Sequence, residues 1–153
     1  MRIVVQRTRA ASVEVAGAIV GKITRGIVAL VGIEDRDGPE DLRWAADKLA
    51  HLRIFEDAQG KLNRSLMDLP SAEEPGVLLV PNSTVAGDAT KGRRPSFDRA
   101  KRPEESGPMF ASLAEMVREH GVRVETGVFR TEMLVRLEND GPITLVLESP
   151  ARS

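Results

Sequence analysis

The sequence contains no cysteine and no tyrosine, and only two histidines among its 153 residues. Without cysteine the chain can form no disulfide, iron–sulfur cluster or thiolate zinc site, so its stability must come from packing. The histidines, His51 and His120, leave little for a histidine-based metal centre. Both lie at the ends of helix-like apolar patterns, which favours structural roles. We therefore expect no metal site.

Aromatic residues are scarce as well, at 3% of the chain. Proteins that read single-stranded RNA usually stack bases on aromatic side chains, and this sequence offers no such platform. The net charge of −1 also excludes a globally basic nucleic-acid-binding protein. Any contact with RNA must therefore come from a local cationic patch.

Long apolar runs are missing too. The first ten residues contain a short apolar stretch that Gln6 and Arg7 interrupt, so they resemble neither a signal peptide nor a membrane span. We expect a cytoplasmic protein with no membrane partner. The length predicts one domain.

Apolar and β-branched runs predict many short strands. They cover residues 2–7, a hairpin over 12–23 that turns at Gly17, and then 26–32, 52–55, 77–80, 122–124, 128–129, 133–138 and 143–147. In the strand at 133–138, Met133, Val135 and Leu137 alternate with polar residues, as core positions should.

Two helices are predicted. The first begins at Pro39, and the acidic segment 34–41 is interpreted as helix initiation rather than as a metal site. The second takes Ser106 as its N-cap, has Pro108 in its first turn and stops at Gly121. Because the strands do not alternate with helices in a βαβ pattern, we expect an α+β fold with the helices to one side of the sheets.

A polar elbow follows the buried strand at 77–80. The chain breaks at Pro81 and continues with Asn82, Ser83 and Thr84. A nucleophilic serine or threonine needs a base within hydrogen-bond reach, and no Ser-His-Asp grouping can be assembled here. We interpret the elbow as a catalytic site whose backbone N–H groups form an oxyanion hole while water attacks. A polar strand end without chemistry is the alternative.

A cationic segment lies just downstream. From Lys91 to Arg102 it has six cations and one acid, Asp98, for a local charge of +5. The cations are Lys91, Arg93, Arg94, Arg99, Lys101 and Arg102. Guanidinium groups suit phosphate oxygens, which indicates a phosphate-binding loop. The alternative is a solvated loop whose charge Glu104 and Glu105 balance.

The sequence Asn139-Asp140-Gly141-Pro142 separates the last two predicted strands as a tight reversal. It can be an ordinary hairpin turn. A Gly-Pro bond can also be cis, and the carbonyl groups of such a rigid turn could form a wall that discriminates by shape.

Together, five segments resemble the D-aminoacyl-tRNA deacylase family. They are Val4-Val5-Gln6-Arg7 with Ala11-Ser12-Val13; Leu52-Arg53-Ile54-Phe55-Glu56-Asp57 with Gly60-Lys61 and Asn63; Lys91-Gly92-Arg93-Arg94-Pro95-Ser96-Phe97; Thr126-Gly127-Val128-Phe129; and Asn139-Asp140-Gly141-Pro142-Ile143-Thr144. The likeness covers roughly residues 1–149 in collinear order, which implies one domain over 1–149 and a short C-terminal tail at 150–153. Each segment is a weak signal alone, and the five in order are specific.

The resemblance implies a three-layer β/β/α fold and a homodimer with active sites at its interface. It implies a proofreading hydrolase that cleaves the ester joining a D-amino acid, or glycine, to the terminal adenosine of tRNA. No metal or organic cofactor is implied, and the 2′-hydroxyl of the substrate would assist the water. The acceptor end of tRNA would be held by Lys91, Arg93, Arg94 and Phe97.

The resemblance also implies how chirality is read. Gly141-Pro142 would be cis, would reach into the pocket of the partner subunit and would exclude L-amino acids by steric clash. Arg7 would brace this pair.

One departure from the family pattern is clear. The pocket motif of the family usually reads Ser-Gln-Phe-Thr, whereas residues 81–84 here read Pro-Asn-Ser-Thr. A related branch, which removes L-alanine from threonine tRNA, reads Pro-Gln-Ala-Thr and has its Gly-Pro pair in trans. That activity is one alternative, and a tRNA-end-binding protein with impaired catalysis is another.

Overall fold

The computed structural model describes residues 1–151, and most of its elements coincide with apolar runs of the sequence. In chain order they are β1 (Arg2–Val15), β2 (Ala18–Ile23), β3 (Gly26–Gly32), α1 (Pro39–His51), β4 (Phe55–Glu56), β5 (Leu62–Arg64), β6 (Gly76–Pro81), α2 (Pro103–Glu119), β7 (Arg123–Thr126) and β8 (Leu134–Glu148). The predicted α+β class is confirmed. Of the predicted tail at 150–153, residues 152 and 153 lie outside the described residues.

Six strands form one mixed sheet, in which β1 pairs with β2, β3 and β8. Strands β3, β6 and β7 run parallel to one another, with α1 and α2 in the two crossovers. The prediction that no βαβ units occur was therefore wrong. The first crossover also contains the β4–β5 ribbon, and the second contains the cationic segment. These insertions hide the alternation of strands and helices in the sequence.

The second helix begins earlier than predicted. It starts at Pro103, whose missing N–H is not needed in the first turn of a helix. Ser106 is therefore a buried residue of the first turn rather than the N-cap, and Pro108 lies inside the helix. The first helix begins at Pro39 as predicted.

The predicted reversal at residues 139–142 is also wrong, because β8 is one strand that pairs antiparallel with β1 along nearly its whole length. The pairing register jumps from Gln6–Thr144 to Thr8–Asn139, so residues 140–143 bulge out opposite Arg7. A bulge accommodates extra residues without ending a strand, and it uses the same residue types as a turn. The Gly141–Pro142 bond in this bulge is cis.

The sheet has an apolar core on each face. The larger cluster joins the sheet to both helices, and it includes Ile3, Val5, Leu49, Leu79 and Leu113. The smaller cluster lies inside the curled sheet, and it includes Val13, Ile23, Leu78 and Val80, with Met133, Val135 and Leu137 packed against it. A Cβ added to Gly21 would lie 2.7 Å from the carbonyl oxygen of Thr126, so β2 approaches β7 closely and the sheet is nearly barrel-like.

The acidic segment before α1 does more than initiate the helix. The buried ammonium group of Met1 lies 2.5 Å from Asp37 Oδ1 and 3.3 Å from Glu34 Oε2, and it donates to Ser149 Oγ at 2.9 Å. Burial opposes ionisation of Glu34, but the Met1 ammonium and the Arg36 guanidinium outweigh it, so the pKa of Glu34 is lowered. These contacts hold Met1 and Ser149 beside the β3–α1 loop.

Candidate active site

A pocket of about 200 Å³ opens where β6 ends. It has three walls, namely the end of β6, the start of α2 and the loop between β7 and β8. The lining residues include Pro81, Asn82 and Ser83 from the first wall, Ser106 and Phe110 from the second, and Phe129, Arg130, Thr131 and Met133 from the third.

The polar elbow forms the first wall. Asn82 N donates to the carbonyl oxygen of Val31 at 2.9 Å, and the chain then enters a short 3₁₀ helix at Ser83–Ala86. The first N–H groups of such a helix have no partner within it, and the bonds described for residues 1–151 supply none for the N–H groups of Ser83 and Thr84. Two adjacent free donors beside a pocket can stabilise an oxyanion.

The side chains of the elbow mainly contact one another. The hydroxyl of Thr84 donates to Asn82 Oδ1 at 2.5 Å, and Thr84 is exposed. Asn82 and Ser83 line the pocket, whereas Thr84 is not among its lining residues. The Thr84 side chain therefore orients Asn82, and its N–H, which has no partner among residues 1–151, is the group left to act on a substrate.

The third wall was largely missed by the sequence analysis. Residues 128–129, predicted as a strand, lie outside any strand, in the connection that leads to a turn at Phe129 and Arg130. Two glycines allow the wall to pack: a Cβ at Gly127 would lie 2.6 Å from Met133 Sδ, and one at Gly107 would lie 3.0 Å from the Phe129 ring. The segment Thr126-Gly127-Val128-Phe129, noted above, was the one available signal for this wall.

The cationic segment forms an exposed loop beside the elbow. Asp88 and Ser96 exchange two backbone hydrogen bonds of 2.8 Å, which close a loop over residues 89–95. Hydrogen bonds from Thr90 lower the pKa of Asp88. Phe97 packs against Gly87, where an added Cβ would lie 2.8 Å from its ring, so the loop is held against the 3₁₀ helix.

Within the described part of the chain, the three cations of this loop have no competing partners. Among residues 1–151, Lys91, Arg93 and Arg94 take part in no ion pair or hydrogen bond, and all three are exposed. Of the balancing acids considered in the sequence analysis, Glu105 lies 4.0 Å from Lys101, downstream of the loop. The loop is therefore free to bind an anion.

Arg7 and the β8 bulge form a second constellation. The buried guanidinium of Arg7 donates from Nε to the Asp140 carbonyl at 3.0 Å and from Nη1 to the Ile54 carbonyl at 2.9 Å. Asn139 Oδ1 accepts a bond of 2.7 Å from the N–H of Ile143 and spans the bulge. Gly141 and Pro142, both exposed at the tip, are thus fixed from both sides.

This constellation lies away from the pocket of its own chain. Across the sheet, Pro81 pairs with Val31 and Val31 pairs with Ile3, which places the pocket level with Ile3. Arg7 is four residues further along β1, or roughly 13 Å at the rise of a strand. The pocket lining includes neither Arg7 nor the bulge.

Comparison with known proteins identifies the family. The family model described as D-Tyr-tRNA(Tyr) deacylase matches residues 4–148. The chain belongs to this family. Its relatives include proteins named D-aminoacyl-tRNA deacylase from Brevibacillus brevis, 50% identical with 97% of this chain and 100% of the relative covered, and from Anaeromyxobacter dehalogenans, 49% identical with 97% of each covered. The predicted family membership is confirmed.

Two solved structures of similar fold extend the comparison. One, titled c-Myc DNA Unwinding Element Binding Protein, superposes with a TM-score of 0.89 at 37% identity and covers 99% of this chain and 100% of its own. The other, titled a probable eukaryotic D-amino acid tRNA deacylase, gives a TM-score of 0.79 at 21% identity, with 95% and 97% covered. The second likeness concerns the fold alone. As a deacylase-family member, the chain thus has the family architecture over nearly its full length.

No helix within residues 1–151 is long and apolar enough to span a bilayer. The same residues contain no group of three or more histidine, aspartate or glutamate side chains with a metal-binding arrangement.

Proposed function

We propose that the protein is a D-aminoacyl-tRNA deacylase that hydrolyses the ester between a D-amino acid, or glycine, and the terminal adenosine of tRNA. The family match and the names of the relatives support this activity. The observation that carries it is the pocket at the end of β6, which Asn82 and Ser83 line and beside which the N–H groups of Ser83 and Thr84 have no partner among residues 1–151. The same family match and names support aminoacyl-tRNA as the predicted substrate class and ester hydrolysis as the predicted reaction.

In the proposed reaction, water attacks the ester carbonyl carbon and the carbonyl oxygen becomes an oxyanion. The N–H groups of Ser83 and Thr84 donate to this oxyanion, while Asn82 orients the ester. The bond to the ribose oxygen then breaks, and that oxygen takes up a proton as the free amino acid leaves. The neighbouring 2′-hydroxyl of the ribose assists the water. Fixed N–H donors stabilise such a developing charge strongly.

The cationic loop is proposed to hold the acceptor end of the tRNA. Lys91, Arg93 and Arg94 have no competing partners within residues 1–151, and the loop is anchored beside the elbow through Phe97. Backbone phosphates of the tRNA would contact these cations, and the contacts would position the ester in the pocket.

We also propose a homodimer in which Gly141-Pro142 of the partner subunit completes the pocket. Two observations support it. The bulge lies roughly 13 Å along the strand from the pocket of its own chain, a distance set by the strand rise. Along β8, the outer edge pairs with no other strand of the described residues, and Leu134, Leu145 and Val146 on it are exposed. An uncovered apolar edge of this length is normally paired or covered.

The assay measures release of amino acid from four substrates: D-Tyr-tRNA, L-Tyr-tRNA, Gly-tRNA and threonine tRNA that is mischarged with L-alanine. We expect rapid release from D-Tyr-tRNA and Gly-tRNA and little from L-Tyr-tRNA. Release only from the L-alanyl substrate would instead establish the related branch. Protection of all four esters without release would establish a binding protein and overturn the proposal.

A further inference from the structure

Arg130, in the third wall of the pocket, has an unusual backbone conformation. Its φ is +60°, in the left-handed region that glycine and asparagine enter readily and that a long side chain seldom occupies. Strained positions of this kind tend to occur at functional sites, where the surrounding structure holds them. The neighbouring hydrogen bond from Thr131 Oγ1 to the Val128 carbonyl, 2.8 Å long, fixes the turn that presents Arg130.

The charged residues that line the pocket also indicate a functional role for Arg130, as a binding group for an anion. Among the described residues, its lining contains two cations, Lys101 and Arg130, and no acid. Lys101 already has partners, because its ammonium donates to the Asp35 carbonyl at 2.8 Å and lies 4.0 Å from Glu105. Arg130 is exposed and takes part in no ion pair or hydrogen bond with residues 1–151. It is a cation of the pocket lining that has no partner in the described part of the chain.

We propose that Arg130 is a substrate-positioning residue that binds the phosphate on the 5′ side of the terminal adenosine. This inference rests on the proposed function, which places that adenosine in the pocket. A guanidinium group presents two parallel N–H donors that match two phosphate oxygens. The contact would fix the last nucleotide from the wall formed by the loop between β7 and β8, whereas Lys91, Arg93 and Arg94 would hold phosphates further along the strand.

The test uses two small substrates that differ only in this phosphate: the 3′-D-tyrosyl ester of adenosine and the same ester of adenosine 5′-monophosphate. For the wild type we expect KM to be roughly three- to tenfold lower for the phosphorylated ester, the size of one ordinary net hydrogen bond. Arg130→Gly should remove this difference, so that the variant has the same KM for both esters.

Two further variants separate charge from backbone. Arg130→Asn tolerates the left-handed conformation without a cation and should behave like Arg130→Gly. Arg130→Lys keeps the charge and should retain part of the preference for the phosphorylated ester. A thermal melt of each variant checks that it is folded.

If the wild type hydrolyses both esters with equal KM, or if Arg130→Gly keeps the preference, the role of Arg130 is overturned while the deacylase activity stands. If the wild type releases D-tyrosine from neither ester nor from D-Tyr-tRNA, the proposed function fails and this inference fails with it.

Discussion

At the elbow after β6, the hydroxyl of Thr84 donates to Asn82 Oδ1, and Thr84 is not among the residues that line the pocket. Thr84→Ala removes that hydrogen bond and leaves the backbone N–H in place. We expect kcat/KM on D-Tyr-tRNA to fall by less than about tenfold, because loss of a true oxyanion donor costs roughly 10²–10³. A folded Thr84→Ala protein without turnover would show instead that the hydroxyl takes part in the chemistry.

Arg7 offers a second test at the scale of one residue. It joins the carbonyl groups of Asp140 and Ile54, and lysine cannot reproduce this forked geometry. We expect Arg7→Lys to lower the free energy of unfolding by about 1–3 kcal/mol. We also expect the ratio of D-Tyr-tRNA to L-Tyr-tRNA hydrolysis to fall at least about tenfold, because the bulge loses its brace.

The matched control is Arg9→Lys, which alters an exposed cation 3.2 Å from Asp140 Oδ1. An exposed pair contributes at most about 1 kcal/mol, so both stability and the D-to-L ratio should change little. Equal effects of the two substitutions would contradict a bracing role that is specific to Arg7.

Among the larger elements, the cationic loop at 89–95 makes a prediction about salt. Each phosphate contact to a single strand contributes about 0.7 to the slope of log affinity against log salt. Replacing Lys91, Arg93 and Arg94 by glutamine should therefore reduce the magnitude of the slope of log(kcat/KM) against log salt by about 2. The same replacement of the exposed cations Arg43, Lys48 and Lys61 is the control and should leave the slope unchanged.

The β3–α1 loop makes a prediction about pH. Its residue Glu34 has a pKa below the ordinary 4.5, so its contribution to stability is present above that value and is lost as the pH falls through the lowered pKa. Urea unfolding from about pH 7 to about pH 3 should show this loss, and Glu34→Gln should make the acid limb shallower. Glu119→Gln, at an exposed site, should leave the acid limb unchanged. A similar effect of the two substitutions would contradict the stabilising contact between Glu34 and the Met1 ammonium.

At this scale the sequence predicted the periodic elements and missed those set by pairing. Strand β3 and the hairpin turn at Gly17 were found because alternation and glycine specify them locally. The β8 bulge resembles a turn in sequence. It lies opposite Arg7 only because β8 pairs with β1, and Arg7 and Asp140 are 133 residues apart in the chain. The left-handed conformation of Arg130 has no local signal at all, since arginine does not favour it.

The candidate site shows the same division. The elbow at Asn82–Thr84 and the cationic loop were predicted because strand ends and charge clusters are visible in the sequence. The pocket wall at Phe129 and Arg130 could be predicted only as part of a family-like segment, because packing against Gly107 and Met133 creates it. The predicted roles of these residues, the β/β/α layering and the cytoplasmic location stay predictions.

For the whole molecule, the central claim is that each active site is built from two chains. Two observations support this claim: the edge of β8 is exposed, and the bulge is separated from the pocket of its own chain. Because the chain has no cysteine, single cysteines can be placed without removing any others. Ser83→Cys marks the pocket, and Thr144→Cys marks the end of the bulge while leaving Gly141-Pro142 intact.

The most direct measurement cross-links a mixture of these two variants with a short bis-maleimide and separates the products by mass. We predict a covalent dimer that contains one chain of each kind, with no such product when Ser71→Cys, on an exposed turn, replaces Ser83→Cys. In a chain carrying both cysteines, the link should again join two chains. A link formed only within one chain, or a mixture that stays monomeric and uncross-linked, would contradict the shared active site.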